Sequence, residues 1–187
     1  MNILLAGGKH FGCITLHLLL SKSNINVVTV VVTDSNDRLR NLAVNLGLHC
    51  IVSVNPKIID ADLVPDNCDL IVTAYSHAKI SDAALEKSKL GGIGYHPSLL
   101  PRHRGKRAVE QTIEFNDKIA GGTVYQLSSN WDEGNVVAQE WCWVNPDDTA
   151  ETLWRRELSP IGIKLLSSVI DNVNKQRKII STPQQII

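Results

Sequence analysis

The run Ile25–Val32, INVVTVVV, indicates the class of fold, because it is dominated by valine and isoleucine. Such a run is typical of a β-strand that is buried on both faces. Apolar runs of the same kind lie before and after it, at Ile3–Ala6 and Asp69–Ala74. Phe11–Leu20 and Arg38–Leu46 have the apolar spacing of helices. The alternation of strands and helices predicts an α/β fold, a mostly parallel sheet with helices on both faces.

The pattern changes in the second half of the chain. Gly121–Leu127 and Asn135–Val144 are both strand-like, and the turn SSNWDEG at residues 128–134 joins them. We interpret the pair as a long C-terminal β-ribbon that closes one side of the sheet. A last helix is predicted from about Thr149 to Asn174, interrupted near Pro160, because proline lacks the N–H that a helix interior needs. The remaining predicted elements are one strand and two helices: His49–Val52, Ser81–Lys87 with Ser81 as its N-cap, and Arg107–Phe115.

The composition excludes several classes of protein. Lys plus Arg and Asp plus Glu each number 19, so no net charge attracts nucleic acid or an acidic membrane. The four cysteines are scattered without a CxxC pair, as in a reduced cytoplasmic protein. The chain begins directly with an apolar strand and carries neither a signal peptide nor a span-length apolar run. We expect a cytoplasmic protein that forms a single domain over residues 1–187, with few structural signals in its tail after residue 177.

The stretch GGIGYHPSLLPRHRG at residues 91–105 holds the best candidate for a catalytic group. His96 follows an apolar run, and Asp132 follows another strand of the same predicted sheet. An imidazole held by a carboxylate can donate a hydrogen bond or exchange a proton near neutral pH. A single histidine in a loop is more often structural, and His77 is a weaker candidate. His10 and His103 are expected at the surface or in contact with an anion, and the absence of HExxH and CxxC spacing argues against a metal site.

Two further features could bind anions. The first turn, GGKHFG at residues 7–12, is followed by Asp34 after the second strand, as in dinucleotide-binding proteins, but its glycine spacing is not GxGxxG. Tight-turn glycines explain it without a nicotinamide cofactor, although the helix N-terminus could still hold an anion. The RHRGKR cluster contains Arg102 and Arg104 and is either a solvated corner or a site for a carboxylate or phosphate. Trp131 is the tryptophan that we would place in a ligand pocket.

Several motifs together resemble the formyltransferase family that uses 10-formyltetrahydrofolate. This family includes glycinamide ribonucleotide formyltransferase, methionyl-tRNA formyltransferase and the hydrolase domain of 10-formyltetrahydrofolate dehydrogenase. The similar residues extend from Asn2 to about Ile170, and the most specific are His96–Pro101 (HPSLLP), Arg104-Gly105, Gly121–Val124, Asp132-x-Gly134 and Gln139. The resemblance implies a Rossmann-like formyltransferase fold, with His96 and Asp132 as catalytic residues.

One position departs from the family pattern. The family's catalytic trio is Asn, His and Asp, and the asparagine position, two residues before His96, is Gly94 here. In the family that amide is thought to hold the formyl oxygen, and loss of an oxyanion donor costs about 10²–10³ in rate. Three outcomes are open: a water or a backbone N–H takes the place of the missing amide, the chemistry changes, or activity is lost. The dehydrogenase's hydrolase domain also lacks this asparagine, and its YHPSLLPRHRG is similar to Tyr95–Gly105.

The resemblance also implies the ligands. The donor is 10-formyltetrahydrofolate, and the acceptor is a small-molecule amine, because neither the phosphate-binding Gly-Ser-Asn turn of the ribonucleotide enzymes nor a tRNA-binding domain is found. The alternatives are hydrolysis to formate, or folate binding without catalysis. Arg102 and Arg104 would meet the folate's carboxylates, the acceptor or only water. The pterin is expected against seven residues: Ala78, Lys79, Ile80, Leu127, Ser129, Asn130 and Trp131.

Overall fold

The structure is a computed structural model that describes residues 1–185. Its strands are β1 (Asn2–Gly7), β2 (Asn26–Val32), β3 (Cys50–Val52), β4 (Ile58–Ile59), β5 (Leu70–Ala74), β6 (Lys79–Ile80), β7 (Gly92–His96), β8 (Ile119–Gln126) and β9 (Val136–Trp143). Its α-helices are α1 (Lys9–Leu20), α2 (Arg38–Asn45), α3 (Asp82–Lys87), α4 (Ala108–Glu114), α5 (Ala150–Leu153) and α6 (Ser159–Gln176). The larger sheet has the order β3-β2-β1-β5-β7-β8-β9, and β4 pairs with β6. The predicted mostly parallel α/β sheet is confirmed.

The chain divides into two compact units. Unit 1 consists of residues 1–94 and 127–129, and unit 2 consists of residues 95–126 together with the chain from Asn130 onward. Strand β7 begins in unit 1 and ends in unit 2. The prediction of a single domain stays a prediction.

Unit 1 is built around β1, which pairs in parallel with β2 on one side and with β5 on the other. Leu5 lies opposite Val30 and Val72, and all three side chains are fully buried. Strands β3 and β7 extend the parallel pairing at either side. The apolar runs of the sequence form strands here because both faces of such a sheet are covered.

Polar side chains cap two helices of unit 1, α2 and α3. The Ser81 hydroxyl accepts a hydrogen bond from the N–H of Ala84 at the start of α3, which confirms the predicted cap. Asp37 caps α2 by accepting from the N–H of Leu39. The small β4–β6 sheet covers an apolar cluster against which Leu127 packs.

Unit 2 contains the antiparallel pair β8–β9, in which Thr123 lies opposite Gln139. The register shifts by one residue between Val124 and Tyr125, close to the turn that joins the strands. Trp141 and Trp143 are exposed on β9, and their rings make an edge-to-face contact at 5.4 Å.

The last helix is interrupted near Pro160, as predicted. The interruption is a π-helical stretch at Trp154–Leu158, which ends two residues before the proline. Pro160 lies in the first turn of α6, where its missing N–H does no harm. A wider turn just before the proline gives its ring room beside the preceding carbonyls, and the helix therefore continues. Among residues 1–185, no helix combines the length and apolar character needed to cross a membrane.

Candidate active site

His96 is the last residue of β7, and both nitrogens of its buried ring face oxygen atoms. Nε2 lies 2.8 Å from the backbone carbonyl oxygen of His103. Nδ1 lies 3.5 Å from Oδ2 of Asp132, which is longer than a normal hydrogen bond. Since a carbonyl oxygen only accepts, Nε2 carries a hydrogen in this geometry. The side of the ring that faces His103 is fixed, and the side that faces Asp132 is held more loosely.

Asp132 is held in the turn between β8 and β9 by two hydrogen bonds. Oδ2 accepts from the N–H of Gly105 at 2.8 Å, and Oδ1 accepts from the hydroxyl of Tyr125 at 2.9 Å. Its backbone is left-handed, with φ of 55°, which aspartate tolerates better than most residues. Gly134 follows because a Cβ there would lie 1.7 Å from the carbonyl oxygen of Gln126. The predicted pair of His96 and Asp132 is thus brought together within unit 2.

The sequence did not indicate Tyr125 as a site residue, although its hydroxyl donates to the Asp132 carboxylate. Burial, and then the negative charge of Asp132, raise the pKa of Tyr125 well above its ordinary value. The hydroxyl therefore stays protonated and serves as a permanent donor to Asp132. The available signal was the two-residue period of a strand, which places Tyr125 on the same face of β8 as Thr123.

The proline-containing loop after His96 is braced by a cross-strand pair. The Thr123 hydroxyl donates to the carbonyl of Ser98 at 2.6 Å and accepts from the N–H of Leu100 at 3.1 Å. The Gln139 amide donates to the carbonyl of Leu100 at 2.8 Å and to the Thr123 hydroxyl at 2.9 Å. This explains physically why a glutamine so far along the chain accompanies the HPSLLP motif.

His103 does not lie at the surface, which was one of its two predicted placements, and the anion that it contacts is a carboxylate of the chain itself. Its side chain is largely buried, and Nε2 lies 2.6 Å from Oδ2 of Asp117. Its ring stacks on Phe115, with 5.5 Å between the centroids, and its backbone is left-handed with φ of 50°. These contacts aim its carbonyl at His96, so His103 supports the site through its backbone.

Every arginine of the basic corner has a carboxylate partner. Arg102 lies 2.7 Å from Asp117, Arg104 lies 3.3 Å from Glu133, and Arg107 pairs with Glu114. The solvated-corner interpretation therefore describes this structure. An anionic ligand would have to share or replace these partners, and the binding role of Arg102 and Arg104 stays a prediction.

The residues expected at the pterin divide between the two units. In unit 1, the N–H groups of Lys79 and Ser81 donate to the carbonyls of Lys57 and Ile59. Because alternate residues of a strand turn their peptide groups to opposite edges, the N–H and C=O of Ile80 point away from β4. The side chains of Ala78 and Ile80 are buried, so only their backbone could meet a ligand.

The other expected pterin residues lie along the end of β8 and the turn after it. The N–H of Leu127 donates to the carbonyl of Gly92 at 2.9 Å, and Ser129 is exposed. Asn130 and Trp131 are exposed in unit 2, where the Asn130 amide donates to Glu133 at 2.8 Å. Their role in folate binding stays a prediction.

Gly94 lies in the middle of β7, buried and opposite Thr73 of β5. Residues two apart in a strand project to the same face, so a side chain at position 94 would project on the face that carries His96. That face has no amide at this position.

The first βα turn does not form an open anion site. The N–H of Lys9, at the start of α1, donates to both carboxylate oxygens of Asp37, at 2.9 and 3.0 Å. The chain thus places its own anion at the helix N-terminus, which a ligand anion would have to displace or share, and the suggestion that this turn holds one stays a prediction. Asp34 accepts from the N–H of Asn36 within its own turn, and His10 is exposed.

The remaining candidates carry no further chemistry. His77 is exposed and makes an edge contact with Tyr75 at 5.1 Å. Burial raises the pKa of the Cys68 thiol, and all four cysteines are free. In the part of the chain that the structure describes, no three His, Cys, Asp or Glu side chains are grouped closely enough to hold a metal ion.

Comparison with known proteins identifies the family. The family model described as formyl transferase matches residues 51–170. Cytosolic 10-formyltetrahydrofolate dehydrogenase of Xenopus laevis is 41% identical over 96 residues, which cover 51% of this chain and only 11% of that protein. Methionyl-tRNA formyltransferase of Ehrlichia chaffeensis is 29% identical, with 93% of this chain and 61% of that protein covered.

A solved structure extends the similarity to the fold of nearly the whole chain. Glycinamide ribonucleotide transformylase 1 of Symbiobacterium toebii superposes with a TM-score of 0.79 at 20% identity, covering 97% of this chain and 94% of that one. At that identity the superposition shows a shared fold, and the family model, which matches well over half of the sequence, shows the relationship. This chain belongs to the formyl transferase family.

Proposed function

We propose that this protein transfers a formyl group from 10-formyltetrahydrofolate to an amine of a small-molecule acceptor. The observation that carries the proposal is the buried pair of His96 and Asp132, fixed on both sides in a chain of the formyl transferase family. The names of two relatives, a 10-formyltetrahydrofolate dehydrogenase and a methionyl-tRNA formyltransferase, both refer to formyl groups, and the first contains the proposed donor.

The geometry suggests which part of the reaction His96 and Asp132 each perform. The hydrogen on Nε2 of His96 is engaged by His103, so His96 donates to the formyl oxygen through Nδ1, which carries a hydrogen when the ring is protonated on both nitrogens. The acceptor nitrogen attacks the formyl carbon, and His96 stabilises the oxyanion that develops. Asp132 orients the ring and accepts the proton of the attacking amine, directly or through water. Collapse of the intermediate expels N10 of the folate, which takes up a proton and leaves as tetrahydrofolate.

We further propose that backbone groups bind the pterin. The outer edge of Ile80 presents one N–H and one C=O, and the turn with Ser129, Asn130 and Trp131 supplies exposed polar groups and one aromatic ring. Fixed backbone donors and acceptors suit a flat heterocycle. Arg102 and Arg104 would meet carboxylates of the folate tail by sharing their present partners.

Hydrolysis is the second candidate, and Gly94 is the observation that favours it. Without the family amide, the formyl oxygen has one donor fewer, and water can replace the amine as the nucleophile and release formate. The identity to a 10-formyltetrahydrofolate dehydrogenase over half of the chain points the same way. Folate binding without turnover is the remaining alternative.

A deformylation assay separates these functions. The purified protein is mixed with 10-formyltetrahydrofolate, alone and with amines such as glycinamide ribonucleotide, amino sugars and amino acids, and tetrahydrofolate, formate and formylated amine are measured. We expect amine-dependent turnover that His96→Ala lowers by orders of magnitude, while His10→Ala, the same change at an exposed position, leaves it unchanged. Formate release without an amine would support hydrolysis instead. Folate binding with neither product would overturn both enzymatic proposals.

A further inference from the structure

The tail after α6 returns to the turn that carries Asp132, although its sequence predicts no structure. We call residues 181–184 the strap. Thr182 pairs with Val136 as an antiparallel bridge, with both N–H···O distances at 2.8 Å. The Ser181 hydroxyl donates to the side-chain oxygen of Gln126 at 3.0 Å. The strap is therefore anchored beside both strands that flank the turn.

The side-chain amide of Gln184 is fully hydrogen-bonded, with its NH₂ group on this turn and its oxygen on Arg104. Its NH₂ group donates to the backbone carbonyls of Asp132 and Gly134, at 2.7 and 2.9 Å. Its oxygen accepts from Nη2 of Arg104 at 2.6 Å, and Nε of Arg104 lies 3.3 Å away. An amide has two donor hydrogens and one acceptor oxygen, and each has a partner here. The same side chain thus joins the Asp132 turn to the loop that follows His96.

The conformation of Asp132 explains why such a clamp matters. Its left-handed backbone is one that residues other than glycine seldom adopt, and it persists only where surrounding contacts fix it. The direction of the Asp132 carboxylate depends on the peptide groups on either side of residue 132. Gln184 holds the carbonyl of one of these, the peptide between residues 132 and 133, and also the carbonyl of Gly134 two residues further on, so it fixes the turn that carries the carboxylate facing His96.

We propose that Gln184 is a positioning residue of the formyl site, which acts through Asp132 on His96. The effect on turnover rests on the proposed function, whereas the effect on the His96 ring does not. The matched variants are Gln184→Glu and Gln185→Glu, which add the same charge at neighbouring positions, and Gln185 is exposed. Gln184→Glu keeps an acceptor for Arg104 but lacks both donors, and it places a carboxylate against two carbonyl oxygens. If Gln184→Glu does not fold, Gln184→Ala is used in its place.

Two measurements test the proposal on the full chain. The first is kcat and KM for deformylation of 10-formyltetrahydrofolate, and the second is the ¹⁵N NMR signals of the His96 ring, assigned with His96→Gln. We expect Gln184→Glu to lower kcat by about 10–100-fold, with KM within about twofold, because small misplacement of a catalytic group has effects of this size. We also expect it to shift the His96 signals, while Gln185→Glu changes neither.

The outcomes are distinct. A Gln184→Glu protein with native kcat and native ring signals would overturn the proposal, and so would a loss of kcat with unmoved ring signals. Equal effects from the change at Gln185 would show a general charge effect and overturn it as well. If the native protein does not turn over the folate, the proposed function fails, and the His96 signals alone decide whether Gln184 positions the pair.

Discussion

Replacing Asp132 with asparagine tests the catalytic role proposed for its carboxylate while preserving the shape of the side chain. Asp132 accepts hydrogen bonds from the Gly105 N–H and the Tyr125 hydroxyl. An asparagine can keep both contacts if its oxygen faces Gly105 and its NH₂ donates to the tyrosine oxygen, since a hydroxyl also accepts. What disappears is the negative charge 3.5 Å from the His96 ring, together with the proposed base for the amine proton.

The expected effects on rate and on stability differ in size. A positioned acid or base contributes about 10²–10⁴ in rate, or roughly 3–5 kcal/mol of transition-state free energy. Two hydrogen bonds to a charged acceptor become bonds to a neutral amide, but a buried charge is also removed. The net loss of folding free energy should be about 1 kcal/mol, which lowers the melting temperature by roughly 2–4 °C in a chain of this size.

The assay is the steady-state deformylation of 10-formyltetrahydrofolate by the native protein and by Asp132→Asn, with a thermal melt of each. Glu133→Gln is the matched control, because it makes the same chemical change one residue away on a half-exposed side chain. It should stay within about twofold of the native rate, as expected when an exposed ion pair is lost. A folded Asp132→Asn protein with a rate within about threefold of the native would refute the role assigned to this carboxylate.

Three further predictions follow from the same contacts. Tyr125→Phe removes a donor to Asp132 and should lower both kcat and the free energy of unfolding, the latter by about 1–3 kcal/mol. The control Tyr95→Phe loses a hydrogen bond to the carbonyl of Leu158 and should lower stability alone. Equal losses of kcat in the two variants would contradict this. Burial raises the pKa of Tyr125 above its unfolded value, so its contribution to stability is complete below about pH 10 and is lost at higher pH. The free energy of unfolding, measured with urea between pH 9 and 11, should therefore fall as the pH rises. Tyr125 contributes up to about 1.4 kcal/mol per pH unit to this fall, so the fall should be less steep in Tyr125→Phe. Gly94→Asn should raise formyl transfer relative to hydrolysis, measured as the ratio of formylated amine to formate, and an unchanged ratio would mean that another group already holds the formyl oxygen.

The fold could be predicted where burial leaves a strong local pattern. The runs at β1, β2 and β5 are apolar because both faces of each strand are covered, and their ends were predicted to within one or two residues. Strands β4 and β6 were missed because two residues are too few to show a period. The π-helical stretch before Pro160 was missed because the wider turn depends on how the helix accommodates the proline, which no residue pattern announces.

The site could be predicted only in part, for a similar reason. The chemistry of His96 and Asp132 is visible in their residue types and in the motifs around them. Tyr125 and Gln184 are ordinary residues whose importance comes from long-range contacts, 7 and 52 residues from Asp132 in the chain. The strand period places Tyr125 on the face of Thr123 without indicating its partner, and Gln184, 52 residues from Asp132, has no local signal. The role of each becomes visible only when the chain is folded.

The basic corner shows how a sequence signal can mislead in the opposite direction. Arg102 and Arg104 form part of the densest positive charge in the chain, yet each already faces a carboxylate. An incoming anion gains only the difference between two contacts, and partly exposed ion pairs are each worth about 0–1 kcal/mol. Such charges change the rate of encounter more than the affinity. Any affinity for an anionic ligand must therefore come largely from contacts outside this corner. Glu133 of the Asp132 turn is itself paired with Arg104, whereas the exposed, uncharged ring of Trp131 can contact a ligand without displacing an ion pair.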